Sequence, residues 1–208
     1  MNNQRSDYYE LEIASSMPGV EEQFYLRDLK QRKMYLNCEI CQDSTIDIIR
    51  HIFQINAEDK DIPQDKRRPI LLYISSPGGD VDAGFGLIDA IEASVTPVWT
   101  INIGTEYSMA FLIGLSGHKR FSMKNAKFLM HDGSSFAYNS TSKLQDQMEF
   151  QKTAERRIME YVTSHSALTE DEYREKWRVE WYMFADEAKE RGFCDYIVGE
   201  DCPLSEVV

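Results

Sequence analysis

Apolar residues in STIDIIRHIFQINAEDK recur at 46, 49 and 53 and again at 48, 52 and 55, a spacing that predicts a helix with two apolar stripes. Before it, FYLRDLKQRKMYLNCEI reads as a helical turn followed by a strand. A polar loop, EDKDIPQDKRR, then leads into PILLYIS, a continuous apolar run of strand length, and the turn SSPGGD. VDAGFGLIDAIEAS returns to helical spacing, with small or apolar residues at 81, 84, 87, 88 and 91. TPVWTINI predicts the next strand, MAFLIGL a short apolar helix, SGHKR a turn, and AKFLM a strand ending at His131. The unit strand, turn, helix, strand predicts an α/β fold with a mainly parallel sheet and crossover helices. Ligands of such sheets sit at the carboxyl ends of strands, where Gly78, Gly79, Ser108 and His131 fall.

TSKLQDQMEFQKTAERRIMEYVTSHS predicts a long polar helix whose apolar residues, among them Leu144, Met148, Ile158 and Val162, form one seam. A helix of that length at about 1.5 Å per residue projects beyond a compact subunit, so its seam needs a partner. Thr169 stands three residues before Glu172, the spacing of a capping box, and ADEAKERG predicts a short helix stopped by Gly192. Residues 1–20 show no clear periodicity and are expected to form a mobile arm.

Composition narrows the classes of function. The 208 residues suffice for one substantial core, and the net charge of −12 disfavours a general nucleic-acid binder, which needs clustered Lys and Arg. The longest apolar runs are too short to cross a bilayer, and MNNQRSDYYELE lacks a basic-then-apolar signal pattern, so the expected location is the cytoplasm without membrane contact. Cys38 and Cys41 form a CxxC, but no second compact Cys or His pair follows to complete a metal site, and Cys194 lies in an apolar stretch that predicts burial.

Ser108 is the hydroxyl at a junction between strand and apolar helix. Such a serine either caps the helix or acts as a nucleophile among the backbone N–H groups of its N-terminus. A nucleophilic serine needs a base, and a base needs a third group to orient it. Of the four histidines, His51 lies within a helical pattern, His118 in a turn and His165 near a helix end, whereas His131 directly follows a buried strand.

The stretches ILLYISSPGGDVDAGFGLIDAI, PVWTINIGTEYSMAFLI, GHKRFSMKNAKFLMHDG and MFADEAKERGFCDYIV, in that order between about residues 24 and 199, resemble the proteolytic subunits of the Clp protease family. The resemblance implies a ClpP/crotonase-like fold with a head (21–133 and 166–208), a projecting handle (134–165) and an N-terminal arm (1–20) that forms axial loops. It implies Ser108 as nucleophile, His131 as general base, Glu180 as the acid, and the N–H groups of Gly79 and Met109 as the oxyanion hole. Gly78, Asp80, Val81, Tyr107, Asp132 and Gly133 are expected to contact substrate. The implied assembly is two stacked heptameric rings, homomeric or mixed with a paralogue, served by a Clp-type AAA+ unfoldase that uses ATP and delivers unfolded polypeptide. No cofactor or metal is expected in this subunit.

The chain departs from the family's pattern at several of these positions. Glu180 stands where the family usually has Asp, Val179 where an arginine helps link rings, and Tyr107 and Ala110 where small residues are usual. HDG replaces the common HQP after the histidine strand. Two other readings are a ring subunit without proteolytic activity, which would be expected to lose the Ser and His kept here, and a crotonase-type acyl-CoA enzyme, which needs neither.

Overall fold

The computed structural model describes residues 19–133 and 140–208. The expected N-terminal arm therefore lies outside the described residues, apart from Gly19 and Val20. Val20 belongs instead to an 11-residue helix, α1 (Val20–Lys30), longer than the single turn its sequence suggests. Strand β1 (Lys33–Leu36) follows, then α2 (Gln42–Glu58). Cys41 N-caps α2 and forms a capping box with Ser44, so its position has a structural use. Of the two apolar stripes of α2, the one carrying Ile48, Ile52 and Ile55 is buried, while Ile46 and Phe53 remain exposed.

β2 (Ile70–Ser76), α3 (Val81–Glu92), β3 (Val98–Tyr107) and α4 (Met109–Leu115) form the expected succession of units. Ile70, Leu72 and Ile74 point into the main core, whereas Leu71 and Tyr73 join a smaller cluster on the opposite face. Burial on both faces is why β2 reads as a continuous apolar run rather than an alternating one. The C-terminal segment closes the smaller cluster, where Val207 is buried and its carbonyl accepts a hydrogen bond from Tyr73 Oη at 2.5 Å.

β4 (Lys119–Met123), β5 (Lys127–Met130), α5 (Thr141–Ser164), α6 (Glu170–Lys176), β6 (Trp181–Phe184), α7 (Ala185–Glu190) and β7 (Tyr196–Val198) complete the described chain. The sheet runs β1-β2-β3-β4-β7, parallel throughout, with β5 beside the far end of β3 and β6 antiparallel to β5. Three short strands, β4, β6 and β7, escaped the hydrophobic pattern. β3 extends four residues beyond the expected strand, and this extension is the part that pairs with β5 and leads to Ser108.

The capping box of α6 is present: Glu172 N–H donates to Thr169 Oγ1 at 3.3 Å, and Thr169 N–H donates to Glu172 Oε2 at 3.0 Å. Gly192 follows α7 with φ +74°, the left-handed conformation expected of a helix stop. In α5 only the C-terminal part of the predicted seam is buried, through Ile158 and Val162 joined by Met159. Met148 is exposed, as is Phe150, and Leu144 is only partly covered.

Candidate active site

The site begins with a strained corner. Ser108 joins β3 to α4 with φ 55° and ψ −122°, a conformation that L-residues with a side chain rarely adopt. Its hydroxyl makes no capping hydrogen bond to α4. The capping explanation for this serine is thereby removed, and its Oγ is left free for other use. Two contacts hold the corner: Ser108 N–H donates to the Leu129 carbonyl at 2.9 Å, and Phe111 N–H donates to the Ser108 carbonyl at 3.0 Å.

Gly78 packs directly against this corner. A Cβ added to Gly78 would come within 2.6 Å of the Tyr107 carbonyl and 2.8 Å of the Ser108 Cβ, so a side chain there would push the serine away. Gly79 adopts φ +148° and lies against Ile40, whose carbonyl would sit 2.3 Å from an added Cβ. Ile40 clamps the turn from both sides: its N–H donates to the Gly78 carbonyl at 2.9 Å, and its carbonyl accepts from Asp80 N–H at 2.8 Å. Neither bond uses the Gly79 N–H. Met109 is the first residue of α4, so its N–H also lacks an intrahelical acceptor. Sequence reasoning missed the clamp because Ile40 is far from SSPGGD along the chain and pairs with it only through an isolated bridge.

His131 and Glu180 meet through sheet register. In the antiparallel pair β5–β6, Leu129 faces Tyr182 and Met130 faces Trp181, so the next step brings His131 opposite Glu180. His131 Nδ1 lies 2.8 Å from Glu180 Oε1. The other carboxylate oxygen, Oε2, accepts a hydrogen bond from Tyr182 Oη at 3.2 Å. The His131 hydrogen bond, with a further contribution from Tyr182, holds the Glu180 carboxyl below the usual carboxylate range. His131 Nε2 is buried and has no hydrogen-bond partner among the described residues. The remaining histidines are engaged elsewhere: His51 with Tyr25, His118 with the Val98 backbone, and His165 with Glu92 and the Tyr161 carbonyl.

A cavity of about 770 Å³ opens on this corner, bringing Ser108, Met109 and His131 together with Ile158 and Met159 of α5 and with Trp177. Asp80, Val81, Asp132 and Gly133 also lie on its wall. Asp80 has a structural task as well, N-capping α3 by accepting from Ala83 N–H at 2.7 Å, and Asp132 N–H is fixed to the Trp177 carbonyl at 2.8 Å. Gly78 and Tyr107 do not line the cavity: Gly78 backs the serine corner, and Tyr107 packs edge-to-face on Tyr182 with ring centroids 5.7 Å apart. Behind the site, Glu106 is buried against Gly114, and that burial pushes its carboxyl well above its ordinary range despite the opposing charge of Arg120.

A profile of the Clp protease family matches residues 19–201. The chain belongs to the Clp protease family. Among its relatives, the ATP-dependent Clp protease proteolytic subunit 2 of Treponema pallidum is 28% identical over 96% of this chain and 98% of that subunit. The proteolytic subunit 1 of Frankia casuarinae is 32% identical over 87% of this chain and 83% of that subunit. The proteolytic subunit 2 of Corynebacterium diphtheriae is 27% identical over 93% and 95%. Membership of the Clp protease family makes the chain a peptidase by descent and sets aside the acyl-CoA reading. Among the described residues no group of His, Cys, Asp and Glu is arranged to hold a metal ion, and no helix is long and apolar enough to cross a membrane.

Proposed function

We propose that this chain is a serine endopeptidase subunit of an ATP-dependent Clp protease, with Ser108, His131 and Glu180 as its triad. The observation that carries the reading is the His131 imidazole, bonded through Nδ1 to Glu180 while Nε2 stays buried and unpartnered, on the same cavity as a strained serine that caps no helix. Ser108 Oγ attacks the scissile carbonyl as His131 Nε2 takes its proton, and the Glu180 carboxylate stabilises the imidazolium that forms. The carbonyl oxygen, now negative, rests on the N–H groups of Gly79 and Met109. Collapse breaks the C–N bond, the amine leaves with the proton from His131, and water releases the acyl group by the same steps in reverse.

In this reading Asp80, Val81, Asp132 and Gly133 border the bound peptide. The subunit itself needs no cofactor; ATP is used by a separate AAA+ unfoldase that delivers unfolded polypeptide to stacked heptameric rings, homomeric or mixed, in the cytoplasm. Exposed Met148 and Phe150 on α5 supply apolar surface for the contact between rings. The test is covalent labelling by a fluorophosphonate, read by intact mass and peptide mapping beside Ser108→Ala. One adduct at Ser108, absent from the variant, is expected; an assembled ring that takes no label would instead mark an inactive ring subunit.

A further inference from the structure

We infer that Tyr182 is a positioning residue for the catalytic acid, holding the Glu180 carboxylate in the orientation that serves His131. The inference rests on the serine-peptidase reading of the site and extends it to a residue with no role in that reading.

The two oxygens of Glu180 are divided between two partners: Oε1 faces His131 Nδ1 at 2.8 Å, and Oε2 accepts from Tyr182 Oη at 3.2 Å. Glu180 immediately precedes β6 and lies two positions before Tyr182, and the two-residue period of extended chain puts both side chains on one face. The arrangement answers a problem posed by the longer acid. A glutamate has one more rotatable bond than an aspartate, and the Glu180 side chain remains more than half exposed, so packing alone does not fix its carboxylate. A second hydrogen bond removes that freedom by holding the oxygen that His131 does not use.

Tyr182 is itself braced. Its ring meets the ring of Tyr107 at 84°, the edge-to-face arrangement favoured by aromatic pairs. Tyr107 pairs in register with Leu129 on β5, and Leu129 pairs with Tyr182 on β6, so the two tyrosines flank one residue across three adjacent strands. Tyr107 also immediately precedes Ser108. The bulky residue ahead of the serine thereby serves to seat Tyr182, and through it the acid, outside the cavity wall.

The test is the second-order rate at which a fluorophosphonate labels Ser108, measured across pH for the native protein, Tyr182→Phe, Glu180→Ala and the double variant. Tyr182→Phe keeps the ring and its contact with Tyr107 and removes only the hydroxyl. It is expected to slow labelling about threefold to tenfold, the scale of one partly exposed hydrogen bond to a charged group. The difference between the two proteins should narrow as pH falls into the carboxylate range, where Glu180 takes up a proton and the Tyr182 hydroxyl no longer has a charged acceptor. In the Glu180→Ala background the same substitution should have no further effect. An unchanged rate in Tyr182→Phe, or an equal loss with and without Glu180, would overturn the role of Tyr182 while leaving the triad in place. A native ring in which Ser108 takes no label at all would overturn the serine-peptidase reading, and the role of Tyr182 with it.

Discussion

At the corner around Ser108 the groups that set the geometry find their partners within the chain, whereas along the N-terminal half of α5 the apolar side chains face outward. Ile40 clamps the glycine turn, Leu129 anchors the serine backbone, and Glu180 meets His131, all within one subunit. On α5, Ile158, Met159 and Val162 are buried at the C-terminal end, but Met148 and Phe150 are 62% and 74% exposed. The contrast separates two requirements: the contacts that shape the serine corner and pair His131 with Glu180 are made within this chain, while burial of the outer helix needs another. It also predicts that each can be damaged without the other.

The largest effect should come from the helix. Met148→Asp, outside the cavity wall, places charge on the surface offered to a partner, and sedimentation should show the higher assembly lost while circular dichroism of the subunit is unchanged. Unaltered sedimentation would mean that the outer half of α5 makes no essential contact. The second largest is confined to the site. Glu180→Gln keeps the size of the side chain but removes its charge, and peptide turnover should fall by about 10⁴ with assembly intact, by analogy with loss of the acid in other serine triads.

A smaller effect on activity is expected at the turn. An added methyl at Gly79 meets the Ile40 carbonyl, so Gly79→Ala should displace one oxyanion donor and reduce kcat by about 10²–10³, with sedimentation again unchanged. The smallest concerns the support behind the site. Because burial raises the Glu106 carboxyl above its ordinary value of 4.5, the unfolded chain releases this proton at lower pH than the folded one. Stability therefore declines as pH rises through the interval between the two values. Glu106→Gln should be more stable than the native protein at neutral pH, and the gain in melting temperature should vanish below pH 4.5. A gain that persists at acidic pH would assign it to packing against Gly114 rather than to ionisation.

Legibility followed the length and regularity of each segment. α2, α3 and α5 could be read from periodicity over many residues, and β2 from its unbroken apolar run, because the burial demanded of such elements repeats along the chain. β6 could not be read. Its four residues, Trp181–Phe184, alternate in burial, but four aromatic and sulfur-bearing residues in a row carry no visible alternation of polarity. Missing β6 meant missing the register that sets His131 opposite Glu180, and with it Tyr182. The carboxylate itself was reached through resemblance, not through spacing.

The sequence by itself determined the α/β succession, the glycines that permit the turn at 78 and 79, and the serine and histidine at strand ends, because backbone freedom and hydrophobic period are local properties. Tertiary structure decided which groups meet. Ser108 is strained and caps no helix, Ile40 closes on a turn some forty residues away, and one stripe of α2 is buried while Ile46 and Phe53 of the other are exposed. Those outcomes depend on strand pairing and on packing between distant segments, and neither leaves a periodic trace in the chain.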